Sequence, residues 1–438
     1  MCSSDLGSHY LSNSVTRVMK INAIKGFRDI LPPETEVWTH VEQEARRIFR
    51  GYGYAEIRIP LLERTELFAR AAGETSDIVE KQMYTFEDVD GTSLTLRPEG
   101  TAPVVRAYIE NGIYGREPVS KLFYLGPMFR RERPQKGRFR QFYQIGAEVL
   151  GRDDPLVDAE LLVMLSDYFS ALGLATARIE INSLGDSTCR PAYREELRRY
   201  AQARRASLCA DCNRRLETNP LRILDCKEDA EKTRDAPVMI DHLCEACAEH
   251  LRAVRERLDA ESVAVTLNPR MVRGLDYYCR TAFEVVAEGL GAQNAIGGGG
   301  RYDGLVASLG GPSVAGIGFA LGVERLVMAL HGVEAASEFD LFLAPLGERA
   351  EARAFRLARE LRRCGLRLEI EPGRKSLKSH MRRAAKLGAA FVLIVGDDEL
   401  ARGAAVLRDM RSQTQAETPL DPSAILRAVR PSQTGGAP

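Results

Sequence analysis

The chain has 438 residues, a length that predicts two to three domains. Hydrophobic residues make up 45% and charged residues 28%, an ordinary globular composition with ample apolar material for a large core. The formal net charge of zero excludes a uniformly basic molecule, so any contact with nucleic acid must come from local basic patches.

No apolar run approaches the roughly eighteen residues of a membrane span. The longest, Ala389 to Val395, has the length of a buried strand. The start lacks a basic segment followed by an apolar one, so no secretory signal is expected. In such a chain, nine cysteines that include two CxxC pairs read as thiols or a metal site rather than a disulfide framework. These features predict a cytoplasmic protein without membrane association. Residues Met1 to Val18 are serine-rich and aperiodic, as expected of a tag, a start assigned too early or a disordered leader.

From Pro33 the pattern is helical, with Val37, Val41, Ala45, Ile48 and Phe49 on one face until Gly51 and Gly53 stop it. Strand patterns follow at Tyr54 to Ile59, Ser93 to Leu96, Leu122 to Leu125 and Phe139 to Val149. Asp154-Pro155 caps and opens a helix to about Leu172, and Ala177 to Ile181 alternates as a strand. A charged, mostly helical stretch from about Asp186 to Glu261 holds six of the nine cysteines and reads as an insertion. Strands resume at Val263 to Leu267 and Thr281 to Ala287, followed by a glycine-rich turn at Gly297 to Gly300. Gly316 to Leu321 leads into another helix. After Gly332 a linker precedes strands at Leu341 to Ala344, Leu366 to Ile370 and Phe391 to Val395, which alternate with helices. That alternation predicts a separate α/β domain. Its first helix carries Arg349, Arg353, Arg356, Arg359 and Arg362, and its second Lys378, Arg382, Arg383 and Lys386.

The chain has no glycine-rich phosphate loop of either common type. Phosphate binding therefore falls to side chains, and arginine is suited to it because its planar guanidinium grips phosphate oxygens bidentately. Leu122 to Gly151 offers such a grip: a strand enters a basic loop and a second strand leaves it, with Arg130, Arg131, Arg133, Lys136, Arg138 and Arg140 all within eleven residues. Gln144, Gly146 and Glu148 then share one face of the exit strand. Charge alone fits a solvated hairpin equally well; the ordered mixture of Arg, Glu, Phe, Gln and Glu argues for a ligand.

This stretch resembles motif 2 of class II aminoacyl-tRNA synthetases, and the histidyl-tRNA synthetases of bacterial type in particular. Four other segments agree in order and spacing: KGFRDILPPE from Lys25, LRPEGTAPVVRAY from Leu96, RGLDYYCRTAFEV from Arg273 and GIGFALGVERL from Gly316. Cys279 stands where the pattern has asparagine. The resemblance implies an α/β protein. Its α+β catalytic domain has an antiparallel sheet, spans 19–185 and 263–333, and is interrupted by a cysteine-containing insertion at 186–262. A smaller α/β anticodon-binding domain follows at 339–430. The implied reaction is activation of histidine with ATP and Mg²⁺, then transfer to tRNA(His), by a homodimer built on Glu34 to Pro60.

Roles follow residue by residue from the same resemblance. Arg130 would hold the ATP α-phosphate, Glu132 the adenine amino group and Arg325 the γ-phosphate, with Phe142 stacked on the adenine. Glu99, Thr101 and Gln144 would hold the substrate α-amino group, Glu148 and Tyr278 its ring nitrogens, and Tyr302 another part of the pocket. Arg273 would sit between the reacting carboxylate and phosphate. Arg133 and Gln135 are candidates for the tRNA acceptor end. Cys209, Cys212, Cys244 and Cys247 have the spacing of one structural zinc site, with Cys189 and Cys226 left over; reduced thiols are the alternative. A related regulatory subunit of ATP phosphoribosyltransferase binds histidine without catalysis, but such chains lose catalytic arginines and the C-terminal domain, which this chain keeps. A synthetase for another amino acid is a further rival, opposed by RGLDYY and Glu148.

Overall fold

The computed structural model describes residues 21–73, 78–290, 294–330, 339–371 and 375–430. The leader at 1–18 and the linker expected after Gly332 lie outside them. The chain divides into two compact units, 1–332 and 333–438. Among the described residues no helix is long and apolar enough to cross a membrane.

In the first unit, α1 (Glu34–Gly51) leads to β1 (Ala55–Glu56). A small three-stranded sheet follows, formed by β2 (Leu62–Arg64), β3 (Tyr84–Glu87) and β4 (Ser93–Leu96), with α2 (Thr65–Ala72) between the first two. Then come α3 (Thr101–Glu110), β5 (Ser120–Phe129), β6 (Gln141–Leu150), α4 (Pro155–Ala171) and β7 (Arg178–Ser183). The stretch expected to be an insertion supplies α5 (Arg190–Gln202), α6 (Ala210–Thr218) and α7 (Glu245–Ala260), the last packed into the main core, before β8 (Val265–Leu267). The chain continues through β9 (Cys279–Val286), β10 (Ala295–Arg301), α8 (Leu305–Ser308), β11 (Gly316–Gly322) and α9 (Val323–Ala329).

The main sheet has the order β1-β5-β6-β11-β10-β9-β7-β8. Its six inner strands pair antiparallel, and β1 and β8 join the edges in parallel. Alternation along each strand separates a core face from a site face. Ile145, Ala147, Val149, Phe283, Val285, Ile317, Phe319 and Leu321 enter the core with α1, α4 and α7. Phe49 of α1 is fully buried there, 5.7 Å from the Phe123 ring, 5.6 Å from Tyr168 and 5.8 Å from Phe319. Burying each such side chain contributes roughly 1.5–3 kcal/mol. Asp154 caps α4 through a 2.7 Å bond from the Leu156 amide, and Pro155 starts the helix as the sequence predicts.

Two sequence expectations are corrected. The strand expected over Tyr54 to Ile59 shrinks to β1, whose pairing with β5 ends where the Ile57 amide bonds Phe123 O at 2.8 Å. The expected glycine turn at Gly297 to Gly300 is the middle of β10, hydrogen-bonded on both sides.

The second unit holds β12 (Leu341–Leu346), α10 (Glu348–Arg363), β13 (Leu368–Ile370), α11 (Leu377–Lys386), β14 (Phe391–Gly396), α12 (Asp397–Arg402), β15 (Ala404–Asp409), β16 (Gln415–Pro419) and α13 (Pro422–Val429). Its sheet has the order β13-β12-β14-β15-β16; the first three strands are parallel and the rest antiparallel. Arg349, Arg356, Arg359 and Arg362 of α10 are exposed, as are Lys378, Arg382, Arg383 and Lys386 of α11.

Candidate active site

The site face of the main sheet forms a cavity of about 320 Å³. Its wall takes Arg130, Glu132, Arg138, Phe142 and Gln144 from β6 and the loop before it, Glu99 and Thr101 from the start of α3, and Arg273, Tyr277, Tyr278 and Glu284 from β9 and its approach. Gly297 and Gly298 of β10 and Glu324 and Arg325 of α9 complete it. Five separated segments thus converge on this face of the sheet: four bring polar side chains, and the glycines of β10 leave room for them.

Four arginines and four glutamates line this cavity. Arg130 Nε donates to Pro98 O at 2.8 Å, and its guanidinium lies 5.1 Å from the Phe142 ring centre. Glu132 faces Arg138 at 3.2 Å and Arg130 at 3.9 Å. Arg273 Nη1 lies 3.4 Å from Glu284 Oε1. Arg325 donates to Gly137 O at 3.3 Å and to Ala295 O. Burial pulls the Arg130 and Arg325 guanidiniums below their ordinary values, a penalty that an arriving anion relieves. Glu324 accepts the Tyr143 amide with both oxygens at 3.1 Å, and burial pushes its carboxyl up to about 7.

The end of the cavity lined by Glu99, Thr101 and Gln144 is more enclosed. Glu99 accepts the Thr101 amide at 2.6 Å and the Ala102 amide at 3.0 Å, so it caps α3 from the cavity floor; burial raises its carboxyl. Glu148 is fully buried. Its Oε1 accepts from the Thr101 hydroxyl at 2.7 Å and its Oε2 from the Tyr302 hydroxyl at 2.5 Å. Burial pushes Glu148 up to about 8 against these donors. Gln144 Oε1 and Arg273 Nε are buried without a hydrogen-bond partner among the described residues, an arrangement that a bound polar ligand would complete.

Of the residues the sequence singles out, Glu99, Thr101, Arg130, Glu132, Phe142, Gln144, Arg273, Tyr278 and Arg325 line the cavity. Glu148 and Tyr302 do not; they lie buried behind Thr101, joined to it by the bonds above. Arg133 and Gln135 are exposed on the loop between β5 and β6. Cys279 Sγ approaches Asp303 at 3.6 Å and is not part of the wall. The four CxxC cysteines do not form one site. Cys209 and Cys212 cluster with Cys226 and Asp229, whereas Cys244 and Cys247 cluster with Cys189 and Asp186. The linear spacing groups the pairs by type, but packing of α6 and α7 against different partners separates them.

Sequence reasoning missed Glu284, whose signal was its place between the apolar Phe283 and Val285, which turn to the core and leave it on the opposite face of β9. It also missed Arg190, which carried no local signal. Arg190 Nη2 donates to Tyr278 O at 2.6 Å and to Gly185 O at 3.2 Å, and its Nε donates to Leu184 O at 3.1 Å. The insertion therefore grips the backbone beside the cavity.

A family model described as histidyl-tRNA synthetase matches residues 26–326, and one described as anticodon binding domain matches residues 340–424. A histidine–tRNA ligase of Geobacter metallireducens is 55% identical over 412 residues, covering 94% of this chain and 100% of that protein. One from Syntrophotalea carbinolica is 55% identical over 407 residues, covering 92% and 97%. The crystal structure of apo histidyl-tRNA synthetase of S. aureus superposes with a TM-score of 0.76 at 36% identity, covering 94% of this chain and 99% of that one. Site geometry, family models and relatives agree: the chain belongs to the histidyl-tRNA synthetase family.

Proposed function

We infer that the chain activates L-histidine with ATP and transfers it to tRNA(His). In the first step a histidine carboxylate oxygen attacks the α-phosphorus, the bond to the bridging β-phosphate oxygen breaks, and pyrophosphate leaves. In the second, the terminal hydroxyl of the tRNA takes the histidyl group and AMP leaves. Both steps bring anions together, so positioning and charge stabilisation supply most of the catalysis.

The observation that carries this reading is one cavity where four arginines meet the buried polar side chains of Glu99, Thr101 and Gln144. In it Arg130 holds the α-phosphate, Arg325 the γ-phosphate, Phe142 stacks on the adenine and Glu132 takes the adenine amino group. Arg273 lies between the two reacting anions and lowers their repulsion. Glu99, Thr101 and Gln144 hold the α-amino group, and Tyr278 one ring nitrogen. Rotation of the Thr101 hydroxyl away from Glu148 Oε1 frees that oxygen for the other nitrogen, with Tyr302 holding Oε2 in place. Magnesium carried on the phosphates supplies neutralising charge when bound. Of the four cavity carboxylates, Glu99 and Glu324 already accept amides and Glu132 is assigned to the adenine, so Glu284 would be the one to meet it.

Arg133 and Gln135 are assigned to the acceptor end of the tRNA, and the exposed basic faces of α10 and α11 to its anticodon arm. The segment from Glu34 to Pro60 is assigned to a homodimer contact. The reaction's substrates, ATP and tRNA, place its work in the cytoplasm. ATP–pyrophosphate exchange with each of the twenty amino acids tests the reading. Exchange with histidine alone is expected; folded protein that binds histidine yet exchanges with none would point instead to a regulatory role.

A further inference from the structure

The insertion holds two side-chain clusters that neither step of the reaction uses. Asp186, Cys189, Cys244 and Cys247 each offer a ligand atom, all within 4.8 Å of one another, and Cys209, Cys212, Cys226 and Asp229 do the same. Six of the eight cysteines among the described residues are gathered in this way.

The two CxxC pairs are built alike. Cys209 caps α6 at φ −65°, ψ 163°, and Cys244 caps α7 at φ −68°, ψ 162°. The second cysteine of each pair sits in the first turn, and the Cys212 amide points at Cys209 Sγ from 3.4 Å. A distant cysteine then closes each group: Cys189 Sγ is 3.9 Å from Cys247 Sγ, and Cys226 Sγ is 3.7 Å from Cys209 Sγ. A tetrahedral ion with metal–sulfur bonds of about 2.3 Å separates its sulfurs by about 3.8 Å, whereas a disulfide needs about 2 Å.

Three sulfurs and a carboxylate converge on each point, and with the thiols deprotonated their lone pairs would form a ready set of metal ligands. Thiolate-rich tetrahedral sets select zinc over the hard, oxygen-seeking cations. Each carboxylate also has a cationic partner: Arg280 lies 3.5 Å from Asp186 Oδ2, and Lys232 lies 2.6 Å from Asp229 Oδ1. Such outer partners orient a metal ligand.

The packing around the clusters explains why a metal is useful. One cluster sits in a small core with Tyr193, Leu197 and Met239, and the other in a separate one with Leu208, Leu216 and Ile223. Cores of this size rarely hold their helices unaided.

We propose that the insertion binds two structural zinc ions, one through Cys189, Cys244, Cys247 and Asp186, the other through Cys209, Cys212, Cys226 and Asp229. The proposal does not depend on the assignment of the active site. Full-length protein expressed with zinc and freed of loosely bound metal should contain two zinc ions per chain by elemental analysis. Cys189→Ser and Cys226→Ser should each leave one, and Cys364→Ser should leave two. Should a variant fail to fold, cobalt titration of the metal-free wild type should saturate at two equivalents, with sulfur-to-metal charge-transfer absorption. One zinc or none in the wild type, iron in its place, or loss of both ions from a folded single variant would overturn it.

Discussion

Gly318 of β11 faces Glu148 of β6 so closely that a β-carbon on the glycine would lie 1.6 Å from Glu148 Oε2. The carboxylate is held in place, because the Tyr302 and Thr101 hydroxyls donate to its two oxygens. Gly318→Ala should therefore weaken histidine-dependent exchange at least about 100-fold while leaving ATP binding intact. The overpacking should cost about 1–3 kcal/mol in urea unfolding. A normal KM for histidine would show that Glu148 does not shape the amino-acid pocket.

Glu148 also predicts a pH dependence. Burial raises its folded-state value from 4.5 to about 8, so the folded chain holds a proton there that the unfolded chain releases. Its contribution to stability is full below the unfolded value, falls as pH rises through this window, and is flat above it. The loss is on the order of a few kcal/mol. Glu148→Gln keeps an amide oxygen for Tyr302 and removes the titration. Between pH 5 and 8, wild type should lose more stability than this variant in urea melts; equal losses would contradict the raised value.

Arg273 is held by a long contact to Glu284, and a β-carbon at Gly298 would lie 2.8 Å from its Nη1. The bare strand thus gives the guanidinium its position against the cavity wall. Arg273→Ala should lower the exchange rate at saturating substrates by about 100- to 1,000-fold, the scale of losing one stabilising donor in an enclosed site. The histidine KM should change less than about threefold. Unchanged exchange would remove Arg273 from the reaction.

Arg190 touches only backbone carbonyls in this region, one of them that of Tyr278. It is a positioning residue. Arg190→Ala should raise the histidine KM about tenfold or more, in keeping with lost hydrogen bonds to a charged donor. The KM for ATP should hold steady, and Arg190→Lys should recover part of the loss. Parallel loss of both substrates would indicate general unfolding instead.

The fully buried Arg301–Asp158 ion pair joins β10 to α4, and His250 of α7 reaches the same carboxylate at 2.8 Å. Asp158→Asn leaves Arg301 without its deepest countercharge, though Asp303 remains at 3.0 Å. Thermal and urea unfolding should show a loss of roughly 3 kcal/mol, the lower end for a broken buried pair. A change within about 0.5 kcal/mol would mean that Asp303 suffices.

Local chemistry was legible in the sequence. Asp154 and Pro155 announced α4 because capping depends on neighbours in the chain. Alternation put Gln144 and Glu148 on one face of β6 because successive strand residues point to opposite sides. The motif arginines pointed to a phosphate ligand through their side chains alone, and the fold brings Arg130, Arg273 and Arg325 to one cavity. What required the tertiary structure was which segments meet. The glycines of β10 read as a turn until β9 and β11 were seen to flank them, so that missing side chains served close strand packing and the space for Arg273. The cysteines read as one quartet until Cys189 and Cys226, distant in the chain, joined different pairs. Arg190 and Tyr278 stand 88 residues apart, and no periodicity links a side chain in one element to a carbonyl in another. Those contacts depend on long-range pairing of the sheet and on how the insertion packs beside it.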